Sequence, residues 1–214
     1  MTQTALGRCA KNFLEAGYPF DLSVAADNRE PLACIYNRAI DASDVEDEIL
    51  IFLHDDVYIT DLNWPEKLSA AVGVFDIVGI VGSKISNETT PIDATQRDYG
   101  IVVKDSQQFS GRIASGVTLG HEKITVFGDA PAACSLLDGV FLASTRRVLL
   151  KSGLRFDERF QFHFYDVDFC RQARMRQLTL GTWPISLLHG GVGNFDSPEW
   201  HRQHEIYLSK YGES

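Results

Sequence analysis

Cysteine is scarce in this chain of 214 residues: Cys9, Cys34, Cys134 and Cys170 are the whole complement, and no two stand at CxxC spacing. A dense disulfide framework and a cysteine-based zinc or redox motif are thereby excluded, and free thiols in a reducing cytoplasm are expected. Basic charge is also in deficit, with 20 Lys and Arg against 29 Asp and Glu, a net charge of −9. A generic nucleic-acid binder carries the opposite balance, and docking on anionic lipid by charge alone is equally disfavoured. No apolar run approaches the roughly 20 residues of a membrane span. Residues 1–8 hold no apolar signal core, and the chain has neither repeats nor low-complexity tracts. The expectation is a cytoplasmic protein with no membrane span, or one held to a membrane only through a partner.

What remains is ordinary globular composition, 44% apolar and 23% charged, at a length that suits one domain over residues 1–214. Leu6, Cys9, Ala10, Phe13 and Leu14 recur at helical period, with Gly17 as a stop. Residues 21–26 read as a short strand, and Leu32, Ile35, Tyr36, Ala39 and Ile40 as one face of a second helix. Residues 49–53 and 77–81 are continuous apolar runs. Strands of that kind are buried on both faces, which predicts interior strands in a layered α/β fold with a mixed, mostly parallel sheet. Between them a helix should start near Asn63, with Glu66 completing a capping box.

Residues 83–130 are polar and weakly periodic. They read as hairpins and loops over one end of the sheet, with strand-like pieces at 101–103 and 124–127. Beyond them come a strand over 135–143 interrupted by Asp138-Gly139, a helix over 144–152 stopped by Gly153, and a helix over 166–177. Strand-like residues 179–188 follow, then a final helix opening at Ser197-Pro198-Glu199.

The sharpest chemical feature is His54-Asp55-Asp56, directly after the apolar run. Ligands of open α/β sheets collect at the carboxyl ends of strands. Two adjacent carboxylates there repel unless a cation offsets them, and Mg²⁺ or Mn²⁺ takes both carboxylate and phosphate oxygens. A plain acidic turn is the alternative. The His-Asp doublet is also used by metal-dependent phosphohydrolases, although on helices. Asp166 and Asp168 straddle the expected start of a helix, where one could act as a general base and either could simply cap. His189, followed by Gly190 and Gly191, ends the last strand and could ligate a metal or be a structural histidine. Asp27-Asn28 and Asp138-Gly139 sit at a strand end and a strand interruption, as ligand groups or as ordinary turn pairs.

Taken in order, these segments resemble the family 2 glycosyltransferases. The resemblance rests on Phe52-Leu53-His54-Asp55-Asp56-Val57, Leu137-Asp138-Gly139, Phe156-Asp157-Glu158-Arg159-Phe160, Tyr165-Asp166-Val167-Asp168 and His189-Gly190-Gly191, and spans residues 22–193. The first of these segments is similar to a bacterial glycosyltransferase-like subgroup with His before the acidic pair. The resemblance implies a three-layer, Rossmann-like nucleotide-diphospho-sugar transferase fold. It divides the chain into a nucleotide-binding half (18–82), an acceptor-side half (83–193) and a C-terminal helix (194–214).

It further implies a hexosyltransferase-like enzyme that moves a sugar from a nucleotide-sugar donor to a glycan, lipid-linked or protein acceptor, with inversion. By position, Asp56 and His189 would hold Mn²⁺ or Mg²⁺. Asp27, Asn28 and Asp55 would face the nucleotide, Asp138 and Gly139 would line the acceptor side, and Asp166 would be the base, leaving Asp168 to brace its helix. Three features depart from the family pattern. His54 stands for the first Asp of the metal motif, and Tyr165 for the Glu beside the base. The family also opens on an apolar strand where this chain opens on a helix, so either the start lies upstream or the first strand is missing. The alternative function is a non-catalytic glycosyltransferase-like binding domain.

Overall fold

The computed structural model describes residues 4–18, 20–25, 28–85, 107–116, 120–191 and 196–212. Within them the chain is mixed α/β. The helices are α1 (Ala5–Glu15), α2 (Leu32–Asp41), α3 (Trp64–Val72), α4 (Arg146–Ser152), α5 (Tyr165–Met175) and α6 (Pro198–Tyr211). The strands are β1 (Ile49–Leu53), β2 (Val57–Ile59), β3 (Ile77–Gly79), β4 (Val81–Ser83), β5 (Phe109–Ser115), β6 (Lys123–Gly128), β7 (Ala132–Cys134), β8 (Leu136–Leu137), β9 (Phe141–Thr145), β10 (Leu180–Thr182) and β11 (Leu187–His189).

The strands form a five-stranded sheet ordered β1-β9-β3-β10-β7 and a six-stranded sheet containing β2-β11-β5-β4-β8, with β6 pairing β5. Only β3/β10 and β5/β11 are parallel among the described pairings; β1/β9, β3/β9, β7/β10, β2/β11, β4/β5, β4/β8 and β5/β6 are antiparallel. The expected mostly parallel sheet is therefore corrected to a mostly antiparallel one. Among the described residues β1, expected in the interior, is an edge strand of its sheet. An apolar run reports which faces are covered; it carries no information on the direction of a neighbour.

Both faces of β1 are indeed covered. Phe52 belongs to one core and Leu50 packs on it, while Ile49, Ile51 and Leu53 pack against another, as the twofold alternation of a strand requires. The first core gathers Phe156, Phe160, Phe164 and Phe169 with side chains of α2, α4, α5 and α6. The second gathers Phe13, Trp64 and Leu68 from α1 and α3 around Val78 and Phe141.

Other boundaries also differ from expectation. The run over 77–81 splits at Ile80, giving one strand to each sheet. Asn63 makes no side-chain cap, so the expected capping box is absent; Asp61 Oδ1 accepts the Asn63 N–H instead, at 3.1 Å. Residues 20–25 form no strand, and Ser23, Val24 and Ala25 are exposed, because alternation cannot supply a pairing partner. The strand-like piece at 101–103 lies outside the described residues.

Two features of the fold place its polar residues. The chain passes from one sheet to the other at residues 54–56 (β1 to β2) and at 138–140 (β8 to β9), so polar residues that cannot stay in a packed strand stand at the seams. Helix α6 is fastened to α5 by Asp168. That fully buried carboxylate accepts hydrogen bonds from Lys210 at 2.5 Å, Tyr211 Oη at 2.7 Å and Gln172 at 2.7 Å. Lys210 also reaches Asp157 at 2.7 Å, and Arg159 together with Lys210 holds that carboxyl well below the usual range.

Candidate functional site

The apolar strand β1 ends at Leu53, and the next three residues turn the chain into β2. The Val57 N–H donates to the His54 carbonyl at 3.4 Å, and the Leu6 N–H at the start of α1 donates to the Asp55 carbonyl at 3.1 Å. β2 pairs antiparallel with β11, setting His189 opposite Val57, and the Gly190 N–H donates to the Asp56 carbonyl at 3.0 Å. That register brings Asp56 and His189 together: Oδ1 lies 3.3 Å from Nε2.

His54, Asp56 and His189 each offer a ligand atom, and these atoms lie within 4.8 Å of one another. Asp56 Oδ1 is buried and lacks a hydrogen-bond partner, since the His189 approach has ion-pair distance but not hydrogen-bond geometry. A buried carboxylate oxygen without a hydrogen bond is costly, and a cation held by two imidazoles and one carboxylate would satisfy it. Space is preserved by Gly191, where a Cβ would meet Asp56 Oδ2 at 2.6 Å and His189 Nε2 at 3.0 Å. On donor type, spacing and the orphaned oxygen, these residues fit a divalent metal.

The electrostatics separate the three groups. His189 holds Asp56 below the usual carboxylate range, against the opposing cost of burial. Burial pulls His189 down, but Asp56 and Asp138 together outweigh it and leave His189 above its ordinary value. His54 goes the other way: burial lowers it, against the pull of Asp138 and with the help of His189.

A second group adjoins the first. Asp138 turns its Oδ1 to the Val140 N–H at 2.9 Å, and its charge is felt by His54, His189 and Asp166. Asp166 accepts the Gly139 N–H on Oδ2 at 3.0 Å and the Val167 N–H on Oδ1 at 2.9 Å. Burial, then the neighbouring Asp138 charge, push its carboxyl up to about 7. Asp168, two residues on, belongs to the separate Lys210 network.

The remaining expected site residues stand apart. Asp55 is exposed, outside the group of three, so the cluster draws on His54 and not on both members of the acidic doublet. Asn28 is exposed and spends its side chain on a turn, accepting the Glu30 N–H at 2.9 Å and donating to the Glu30 carbonyl at 2.7 Å. Asp27 lies outside the described residues.

The sequence pattern alone leaves His54 out of the ligand set and gives Tyr165 no task. The signal that could have selected His54 is its place in the same short β1–β2 turn as Asp56, two residues away. Tyr165 is buried, and its hydroxyl lies 3.0 Å from His54 Nε2. Phe162 is exposed and sets its ring 5.4 Å from that of His54.

Among known proteins, a family model described as a glycosyltransferase-like family matches residues 10–211. No curated protein shows a significant match. Among the described residues no helix is long and apolar enough to cross a membrane.

Proposed function

The chain belongs to the glycosyltransferase-like family, and on that premise we propose that it is a metal-dependent glycosyltransferase. It would move a sugar from a nucleotide-sugar donor to an acceptor hydroxyl with inversion, on a three-layer, Rossmann-like fold. The observation that carries this reading is the His54–Asp56–His189 group, with an Asp56 oxygen that is buried without a hydrogen bond.

In this reading His54, Asp56 and His189 hold the cation. Two imidazoles favour a transition metal over Mg²⁺, which prefers oxygen, and of the two expected ions Mn²⁺ is the transition metal. When bound, the cation supplies positive charge that offsets the departing diphosphate. Residues 18–82, with Asp27, Asn28 and the exposed Asp55, form the nucleotide side. Asp138 and Gly139 form the acceptor side, and the exposed Phe162 ring offers an apolar face for a sugar.

Asp166 takes the proton from the acceptor hydroxyl as that oxygen attacks the anomeric carbon. A carboxyl near 7 is matched to that task, because a base works best with a pKa near the working pH. Asp138 raises it, and the Gly139 N–H keeps one oxygen aimed.

Incubation with nucleotide-sugars and Mn²⁺ tests the proposal through release of nucleoside diphosphate. Release that is lost in Asp166→Asn supports the transferase. Donor binding without any release would instead support the non-catalytic binding domain.

A further inference from the structure

We infer that Tyr165 is a positioning residue that fixes neutral His54 as its Nε2–H tautomer, so that Nδ1 presents its lone pair to the cation site. The inference rests on the metal reading for its consequence, but on hydrogen-bond accounting for its substance.

A tyrosine hydroxyl has one proton to give. Tyr165 gives it to the Gly139 carbonyl, 2.8 Å away. Its contact with His54 Nε2 at 3.0 Å can then be a hydrogen bond only if the imidazole donates. A neutral imidazole carries a single N–H. With Nε2 protonated, Nδ1 is the one His54 nitrogen left with a lone pair to give, and His54 shares its group with Asp56 and His189. Hydrogen-bond partners on the far side of ligating histidines act in this way, fixing tautomer and ring orientation together.

The surroundings leave Tyr165 little freedom. Its ring is buried in the first core, between α2 and the aromatic cluster, with Tyr36 and Phe156 at centroid distances of 6.0 and 6.1 Å. Tyr36 directs its own hydroxyl to the Leu53 carbonyl at 3.3 Å. At Gly139, a Cβ would fall 2.2 Å from the Tyr165 hydroxyl, so only glycine lets that hydroxyl reach the carbonyl.

The same glycine also connects the two halves of the site. Tyr165 holds its carbonyl, while Asp166, the next residue, holds its N–H at 3.0 Å. Two of the departures from the family pattern, His54 and Tyr165, are thus partners of each other. The hydrogen-bonded path from His54 runs through Tyr165 and Gly139 to Asp166.

The test uses the full-length protein with and without Mn²⁺. Long-range ¹H–¹⁵N spectra of the metal-free protein, with the His54 signals assigned by their loss in His54→Ala, should show the Nε2–H tautomer. In Tyr165→Phe, which keeps the ring and removes the hydroxyl, that tautomer should lose its dominance. Mn²⁺ affinity should fall by about 10- to 100-fold in the variant.

A His54 protonated at Nδ1 in the wild type would overturn the inference. So would a Tyr165→Phe protein with unchanged tautomer and unchanged Mn²⁺ affinity. If the variant does not fold, the wild-type spectrum alone decides. If wild type binds no Mn²⁺, the metal reading fails separately, and the tautomer is still read from the metal-free spectrum.

Discussion

The Asp56 carboxylate stands 3.3 Å from Nε2 of His189, brought there by the antiparallel register of β2 on β11. Each residue ends or adjoins a strand, and the two lie far apart in sequence, so the strand pairing is what brings them together. The attraction lowers the Asp56 pKa and helps raise that of His189. Without metal, the pair is most stabilising when His189 is protonated and Asp56 is not.

That pairing sets a pH dependence for metal binding. Because the folded His189 pKa is raised, its contribution to stability is fully present below the ordinary histidine value. It is lost as pH rises through the raised value. A cation needs the neutral imidazole and so competes with that proton. Mn²⁺ affinity, measured by calorimetry from about pH 5.5 to 8.5, should therefore rise with pH. Replacing Asp56 by Asn should shift the His189 titration, followed by NMR, downward.

Asp166 should show the opposite link between stability and rate. Its folded pKa of about 7 lies above its unfolded value, so stability falls as pH rises between the two. Asp166→Asn removes that cost. Above about pH 7 the variant should melt a few degrees higher, on the order of what relief of one buried charge provides. Its turnover should drop by about 10² to 10⁴. In the wild type, kcat/KM should decline below about pH 7 as the base is protonated. A flat profile across that range would remove Asp166 from the role.

Asp168 lies two residues away and should behave differently. Its charge is buried against Lys210, and removing one member of a buried pair costs about 3–5 kcal/mol. The second partner of Lys210, Asp157, retains part of that interaction. Asp168→Ala should therefore lose about 3 kcal/mol in denaturant unfolding. Because α6 is fastened through this residue, its amides should exchange faster in the variant while Mn²⁺ affinity is kept.

Much of this arrangement was legible in the residues. Helical period marked α1, α2 and α6, and the apolar runs marked β1 and β3. The polar breaks at 54–56 and 138–139 marked a strand end and a strand interruption; that the chain changes sheets at both was not legible. Direction and order of the strands were not legible, because they depend on partners far away in sequence: β1 could not announce that β9 would pair with it antiparallel, or that it would lie at an edge. For the same reason Tyr165 reads in the sequence as a mismatch and His54 as a substitution. Their contact exists only once α5 is packed under the end of β1.

Titration of Mn²⁺ into the protein, with a nucleoside diphosphate present, decides whether the His54–Asp56–His189 group holds the metal. It is repeated with His54→Ala, Asp56→Ala and His189→Ala after each is shown to fold. Asp56→Ala should weaken binding most, since it removes the one anionic ligand of the group, and each histidine variant should weaken it at least about tenfold. Wild-type binding that persists unchanged in all three variants would contradict the assignment of the metal to this site.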